Sequence, residues 1–197
     1  MDVTPTRSVV LELRDERRAM HEGYVFLDEK CLLLAGEMLR ELAHYALLQQ
    51  GFRTAWGIAV AALQAAVARH GLDGLQIYPP LDLGHAEVRR TARSLMGVRL
   101  QEAVLAALAR PAPPAVDRSP EAEACRRAFA QLAELAVPLA SVAGNLERLS
   151  LEYRRAVRRA RALQDVLLPE LDRDVYEIET RLEELEQEDA ISMRRGR

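Results

Sequence analysis

The sequence predicts a mainly α protein: a long antiparallel two-helix coiled-coil hairpin with a small non-helical, β-hairpin insertion in its middle. Three observations carry this expectation. Near the N-terminus Val10, Leu13, Met20, Tyr24, Leu27, Cys31, Leu34 and Met38 alternate in steps of three and four, with Arg17 the one polar member. Near the C-terminus Leu135, Leu139, Val142, Leu146, Leu149, Tyr153, Ala156, Ala160, Leu163 and Leu167 do the same. A seam this narrow and long buries itself against another seam, not around a globular core. The composition agrees: 49% of the 197 residues are hydrophobic but only 5% are aromatic, a balance typical of long helices. The expected division is an N-terminal coiled-coil helix over 1–71, a middle insertion with a short β-hairpin and loop over 72–118, and a C-terminal coiled-coil helix over 119–197.

The first helix is expected to start near Pro5, with Thr4 as its cap and Pro5 at the first helical position. Its seam slips where Leu34, Met38 and Leu42 are spaced four and four. It then resumes through Tyr45, Gln49, Phe52, Trp56, Ala59, Leu63 and Ala66. Such a stutter locally relaxes a left-handed supercoil. The helix should stop at His70-Gly71, where glycine supplies a left-handed cap. Gly36, Gly51 and Gly57 lie inside it, each costing about 1 kcal/mol relative to Ala. Either a strongly packed helix tolerates them, or a partner approaches closely at Gly51 to Gly57, beside Phe52 and Trp56.

In the middle, Pro79 and Pro80 stop helix. Ala86 to Arg93 and Val98 to Val104 form a weakly alternating hairpin around Ser94-Leu95-Met96-Gly97, and Pro111, Pro113 and Pro114 mark a loop. Helix two has a clear start: Ser119 caps, Pro120 takes the first position, and Glu121 and Glu123 suit the positive end of the dipole. It is expected to reach about Asp189. Pro138 and Pro169 should interrupt it, at about 3 kcal/mol each. Near Pro169 the seam also changes phase, since Leu163, Leu167, Leu171 and Val175 are four apart. A kink with a change of supercoil is expected there.

The net charge of −3 implies no polyanionic partner. Arg154, Arg155, Arg158, Arg159 and Arg161 cluster, an acidic stretch runs from Glu177 to Asp189, and Arg194, Arg195 and Arg197 follow. These read as solvated helix faces; a nucleic-acid site would want stacking aromatics or a recognition motif, and neither is present. Pairing Val10 with Leu185 and Ala66 with Ala130 sets a register in which Cys31 faces about position 165 and Cys125 about position 71. The two thiols then lie roughly 60 Å apart at the helical rise, too far to bond, so reduced thiols and a cytoplasmic setting are expected. His21, His44, His70 and His85 lack metal-ligand spacing and read as surface or hinge residues. Phosphate loops and nucleophile elbows are absent, so no catalytic residue, cofactor or metal is expected. The run Thr54 to Ala68 is too short to span a bilayer, and the N-terminus is charged where a signal peptide would be apolar. A soluble or peripheral protein follows.

Several segments together resemble a known family. Pro5-Thr6-Arg7, Glu22-Gly23-Tyr24 and Leu27-Asp28-Glu29-Lys30-Cys31 resemble the N-terminal helix of the D subunit of V-type (archaeal or vacuolar-type) ATPases and ATP synthases, which carries a P-T-[RK] start and an L-[LK]-[KD]-x-[KR]-R-D-x-L segment. Arg158-Arg159-Ala160-Arg161-Ala162-Leu163-Gln164 through Leu168-Pro169 resembles its R-R-V-N-A-L-E…[IV]-P motif. Glu188-Asp189…Met193-Arg194-Arg195 is similar to its R-E-[DE]-x-x-R-[LM]-K-[RK] ending, and Leu95-Met96-Gly97-Val98-Arg99 to its hairpin turn around M-G-V. Arg161 stands for the usual Asn, Gln164 for Glu and Cys31 for Arg.

The resemblance implies a non-catalytic central rotor stalk that transmits torque between a hexameric ATP-hydrolysing or ATP-synthesising head and an ion-translocating membrane ring. Implied partners are the F subunit, the catalytic A and B subunits of the head, and the funnel subunit above the ring, with no nucleic acid and no direct membrane insertion. The implied location is cytoplasmic, peripheral to the membrane. Candidate head contacts are Arg7, Arg14, Arg17, Arg18, Arg194 and Arg195. Candidate contacts for the F subunit or at the hairpin are Phe52, Trp56, Met96 and Gly97. From the residues alone, a coiled-coil adaptor or scaffold without a motor role predicts the same rod.

Overall fold

The computed structural model describes residues 4–76, 78–79, 86–107 and 118–195. His85 and the expected breaker Pro80 and loop prolines Pro111, Pro113 and Pro114 lie outside them. The order is α1 (Arg7–Gln76), β1 (Glu87–Leu95), β2 (Val98–Ala107), α2 (Pro120–Ala162), a π-helical turn (Leu163–Leu167) and α3 (Leu168–Arg195). Two long helices pack against each other, and the strands form a small antiparallel sheet. That is the fold class the heptads imply. Contacts group the chain into two units, Met1–Leu33 with Glu152–Arg197, and Leu34–Leu151.

The seam of α1 is more regular than its apolar residues suggest. Burial follows one uninterrupted three-four frame: Leu34, Met38, Glu41, Tyr45, Leu48, Phe52, Ala55, Ala59, Ala62 and Ala66 are all buried or half-buried. Leu42 and Trp56 are each 53% exposed and Leu63 is 39% exposed. The expected stutter at Leu42 is therefore absent. The frame passes through Glu41, a charged residue that periodicity of apolar residues alone skips over. Thr6, not Thr4, caps the helix: its carbonyl accepts from the Val10 amide at 3.2 Å and its hydroxyl from the Val9 amide at 3.4 Å. Gly71 adopts φ 69°, ψ 173° and breaks the helix there, and a short helical stretch to Gln76 follows.

In the first unit, Val10, Ala156 and Ala160 are buried. A Cβ on Gly23 would meet Leu163 Cδ1 at 3.8 Å. The phase change before Pro169 takes the form of the π-turn, in which the Leu168 amide donates to the Leu163 carbonyl. Proline at 169 has no N–H to give to the carbonyl four residues back and its ring crowds that carbonyl; a wider turn removes both conflicts. The buried frame thus steps by five from Leu163 to Leu168 and resumes at Leu171, Val175, Ile178 and Leu182. Pro138, by contrast, sits inside α2 without interrupting it, and Leu135 and Leu139 on either side are half-buried. α3 continues past Asp189 to Arg195. The expected register holds to within about two residues at the Arg7–Glu186 and Arg14–Glu179 pairs but shifts deeper in the unit, where Lys30 Nζ meets Glu152 Oε1 at 2.6 Å, well short of position 165. The extra residue in the π-turn, with no counterpart on α1, contributes to that shift. Both cysteines are free thiols. Burial pushes both upward in pKa, aided at Cys31 by Asp28 and opposed by Lys30.

In the second unit, Ala59, Ala128 and Leu132 form a core with Phe52, Ala55, Ala62 and Phe129 around it. α2 begins as expected: the Ser119 hydroxyl accepts from the Ala122 amide at 3.1 Å, and His70 Nε2 lies 2.5 Å from the same hydroxyl. The strands pair from Leu95↔Val98 outward to Glu87↔Ala107, longer on both sides than alternation suggests, with an irregularity between Glu87 and Val88. Val98 and Leu100 are buried, whereas β1 is exposed along most of its length. The most apolar part of α1 buries Ala59 and Ala66 fully but leaves Trp56, Ile58 and Leu63 exposed. By length and composition alone, each long helical stretch holds an 18-residue window with mean hydropathy 1.2.

Leu149 is fully buried, and Leu149→Ala is expected to lower unfolding free energy by about 2–5 kcal/mol. Leu39 is 68% exposed, and Leu39→Ala should stay within about 0.5 kcal/mol. Urea denaturation followed by circular dichroism checks both.

Candidate partner-contact surfaces

The tip of the first unit is built from cross-helix ion pairs. Arg7 pairs with Glu186 at 2.8 Å, Arg14 with Glu179 at 2.6 Å, and Arg17 with Asp172. Three of the six candidate arginines are therefore neutralised by carboxylates of α3. Arg18, Arg194 and Arg195 are exposed. Such exposed pairs contribute about 0–1 kcal/mol each, so they can exchange partners at little cost. A shallow groove of about 340 Å³, lined by Arg7, Val10, Leu11, Arg14, Glu179, Leu182 and Glu183, runs beside them. Lys30 and Glu152 make a more sheltered pair, with side chains 14% and 24% exposed. The Lys30 ammonium holds the Glu152 carboxyl below its ordinary range against the opposing effect of burial, with Arg155 and Arg159 adding to the pull.

In the second unit the hairpin is locked to both helices. Met96 and Gly97 take φ 48° and 85°, the left-handed pair of a two-residue hairpin turn whose twist matches the strands. Gln101 points its backbone groups away from β1. Its amide donates to Asn145 Oδ1 at 2.8 Å, and its carbonyl accepts from Asn145 Nδ2 at 2.9 Å and from the Ser141 hydroxyl at 2.7 Å. One buried amide side chain on α2 thereby stands in for a third strand and closes part of the free edge of β2. From β1, Arg93 reaches α1, bonding Glu37 and, at 3.3 Å, Glu41. Glu37 and Glu41 are 3% and 8% exposed. Burial pushes the Glu37 carboxyl upward, but hydrogen bonds from Arg93 and Arg40 outweigh it and hold the group below its ordinary range. Asn145 Nδ2 also approaches Glu41 at 3.4 Å. A polar cleft of about 400 Å³ lined by Glu37, Arg40, Glu41, His44, Arg93 and Glu102 opens over this junction.

The remaining sequence candidates fall in separate features. Phe52 packs against the Ala59 core and stacks on Trp56, with ring centroids 6.4 Å apart; Trp56 stays half exposed. Met96 and Gly97 form the hairpin turn. At Gly36, Gly51 and Gly57 a Cβ would meet nothing within 4 Å among the described residues beyond the local helix itself, so no close approach within the described chain accounts for these glycines. His21 and His44 are exposed and His70 is half-buried at the end of α1. Apolar periodicity and charge do not single out the Glu37–Glu41–Arg93–Asn145 junction. Its one legible signal is Glu41 falling in the unbroken heptad frame, a seam position that demands a buried partner.

Paired helices with a docked two-stranded hairpin define a coiled-coil class of protein whose surfaces, more than any cavity, meet its surroundings. A family described as the D subunit of ATP synthase matches residues 9–196. The chain belongs to that family. It is 30% identical over 201 residues to the D subunit of the V-type ATP synthase of Anaeromyxobacter dehalogenans, covering 98% of this chain and 94% of the relative. It is 27% identical over 199 residues to the D subunit of the A-type ATP synthase of Thermococcus gammatolerans, covering 99% and 93%. To the D subunit of the V-type ATP synthase of Thermotoga neapolitana it is 24% identical over 196 residues, covering 99% and 97%. The protein is thus a subunit of a V/A-type ATP synthase, a membrane-associated complex with other subunits.

Arg93→Ala leaves Glu37 and Glu41 buried beside each other with Arg40 the nearest cation. It is expected to cost about 2–3 kcal/mol, less than a fully buried pair because Arg93 is half exposed. The pH dependence has a definite sign. Glu37 in the native chain lies below the ordinary 4.5, so its contribution is full above that pH and is lost as pH falls through the depressed native value. In the variant burial dominates, the carboxyl moves upward, and the deficit relative to the native chain narrows as pH falls toward 4.5. Chemical denaturation at several pH values checks this; a deficit that stays constant with pH contradicts it.

Proposed function

We propose that this chain is the central rotor stalk of the synthase, a non-catalytic shaft that passes torque between the catalytic head and the ion-translocating membrane ring. The observation that carries the reading is the pairing of the two long helices along extended seams, in a chain that belongs to the D-subunit family along nearly its whole length. A shaft needs stiffness along its axis, and continuous seam packing supplies it. In this reading the unit containing both chain ends enters the head formed by the A and B subunits, and the chain also meets the funnel subunit above the ring. The F subunit binds in the middle, with Phe52, Trp56, Met96 and Gly97 as its candidate contacts. The protein works at the cytoplasmic face, peripheral to the membrane. The exposed tip pairs support this reading because weak pairs let arginines contact successive head surfaces without locking onto one.

Charge reversal at the tip, Arg18→Glu with Arg194→Glu and Arg195→Glu, is expected to lower ATPase activity coupled to ion transport in the reconstituted complex. Unchanged coupling sinks the tip assignment. Co-expression with an F subunit is expected to give a stable one-to-one complex by size exclusion, and failure to form one returns the chain to an adaptor role.

A further inference from the structure

Strand β1 buries almost nothing: from Glu87 to Ser94 every residue is exposed, and only Leu95 is half-buried. It pairs with β2 from Leu95↔Val98 to Val88↔Leu105 without a break in register. Leu95 and Val98 flank a two-residue turn, so they exchange hydrogen bonds. Every second pair outward does the same: Arg93 with Leu100, Thr91 with Glu102, Arg89 with Val104. Ser94, Ala92 and Arg90 fall at the alternate positions, where amide and carbonyl point away from β2. Gln101, opposite Ala92, shows the same alternation on the other strand: its outward groups are the ones that Asn145 and Ser141 take up. The two edges of the sheet are therefore unlike. Side chains of α2 close part of the β2 edge. On β1, among the described residues, no hydrogen bond reaches the outward backbone groups of Arg90, Ala92 or Ser94. Arg93 is held by Glu37 and Glu41, whereas Arg89 and Arg90 make no ion pair among the described residues.

We propose that the β1 edge is a strand-addition site: an extended segment of another subunit pairs through its main chain with Arg90, Ala92 and Ser94 and turns the hairpin into a three-stranded sheet. Free main-chain donors and acceptors that repeat about every 6.7 Å are met in register only by another strand. A two-stranded hairpin is marginal by itself, and a third strand adds to its stability. Exposed edges are ordinarily blunted by brevity, proline, a bulge or a cover. β1 has 9 residues where strands usually have about 5–6. It contains no proline, and its irregularity lies between Glu87 and Val88, outside the free stretch. Ala92 and Ser94 are small and leave the backbone approachable. The remaining protection is charge, and charge selects the occupant. Arg89 and Arg90 flank the edge on opposite faces, so a cationic segment is repelled. A second copy of this edge would bring the same two arginines onto one ribbon and is disfavoured for the same reason. The occupant is thus a strand of a different chain, neutral or acidic opposite Arg89 and Arg90. The chain is part of a complex with other subunits whatever its mechanical role, so such chains are at hand.

Residue-resolved amide hydrogen exchange of the full-length chain, free and in the assembled synthase, tests this. In the free chain the Thr91 and Arg93 amides, bonded to β2, should exchange more slowly than those of Arg90, Ala92 and Ser94. On assembly these three should slow about tenfold or more. Ala92→Pro removes one outward donor and no bond to β2, a position where an edge strand accepts proline; Ala92→Val keeps the donor. In synthase carrying the Pro variant, protection of Arg90 and Ser94 should be lost, while the Val variant keeps it. If the Pro variant loses protection at Thr91 and Arg93 in the free chain, its hairpin is disturbed and the native comparison alone decides. Unchanged exchange of the three amides on assembly overturns the site. Protection that survives Ala92→Pro with the hairpin intact shows a cover other than a paired strand and also overturns it. Protection already present in the free chain and lost on dilution overturns the different-chain occupant in favour of self-pairing.

Discussion

Glu37 and Glu41 stand on the buried side of α1, and a carboxylate taken out of water costs several kcal/mol unless a cation and hydrogen-bond donors meet it. That cation comes from the sheet: Arg93 on β1 supplies it, with Arg40 beside it. The helix pair of the second unit therefore leaves its seam incomplete by one charge, and the hairpin completes it. Asn145 links Glu41 to the backbone of Gln101, so α1, α2 and the sheet are joined at one point. Apolar burial of Val98 and Leu100 would hold a strand in place with some freedom to slide. The directional bonds at Gln101 and Arg93 specify which residue faces which helix.

The first unit obeys a different constraint. α3 has no buried residue, and the cross-helix pairs that tie it to α1 are exposed. Its sheltered groups are the Lys30–Glu152 pair and the buried Val10, Ala156 and Ala160. The second unit contains Leu34, Ala59, Ala66, Leu100 and Leu149 at 0–1% exposure. Few buried apolar contacts mean low local opening free energy, so the terminal unit is the part of the chain whose packing a surrounding partner can most readily complete.

How far the sequence reveals this depends on the kind of interaction. Apolar seams are legible because burial selects apolar residues at a fixed period, and the capping of α2 by Ser119 is legible because the cap is local. Position 41 is not legible from apolarity: Leu42 is apolar but exposed, Glu41 charged but buried, and what decides between them is an arginine 52 residues away. The capping of α1 fails for a smaller reason, since Thr4 and Thr6 flank one proline and both can cap. Among the site candidates, the tip arginines are visible as charge, but which of them carboxylates of α3 neutralise depends on how the two helices are aligned, which no local pattern states.

That turn also bears on what a shaft can do. A stutter of four residues spreads a change of supercoil over a long stretch. A single extra residue accommodated as a π-turn confines it to Leu163–Leu167, and the seam on either side keeps its own frame. The site is marked by Pro169, which has no N–H to complete the α-helical ladder there. A helix pair with a localised wide turn stays stiff on both sides of it while offering one place where hydrogen bonds are already displaced from the α pattern.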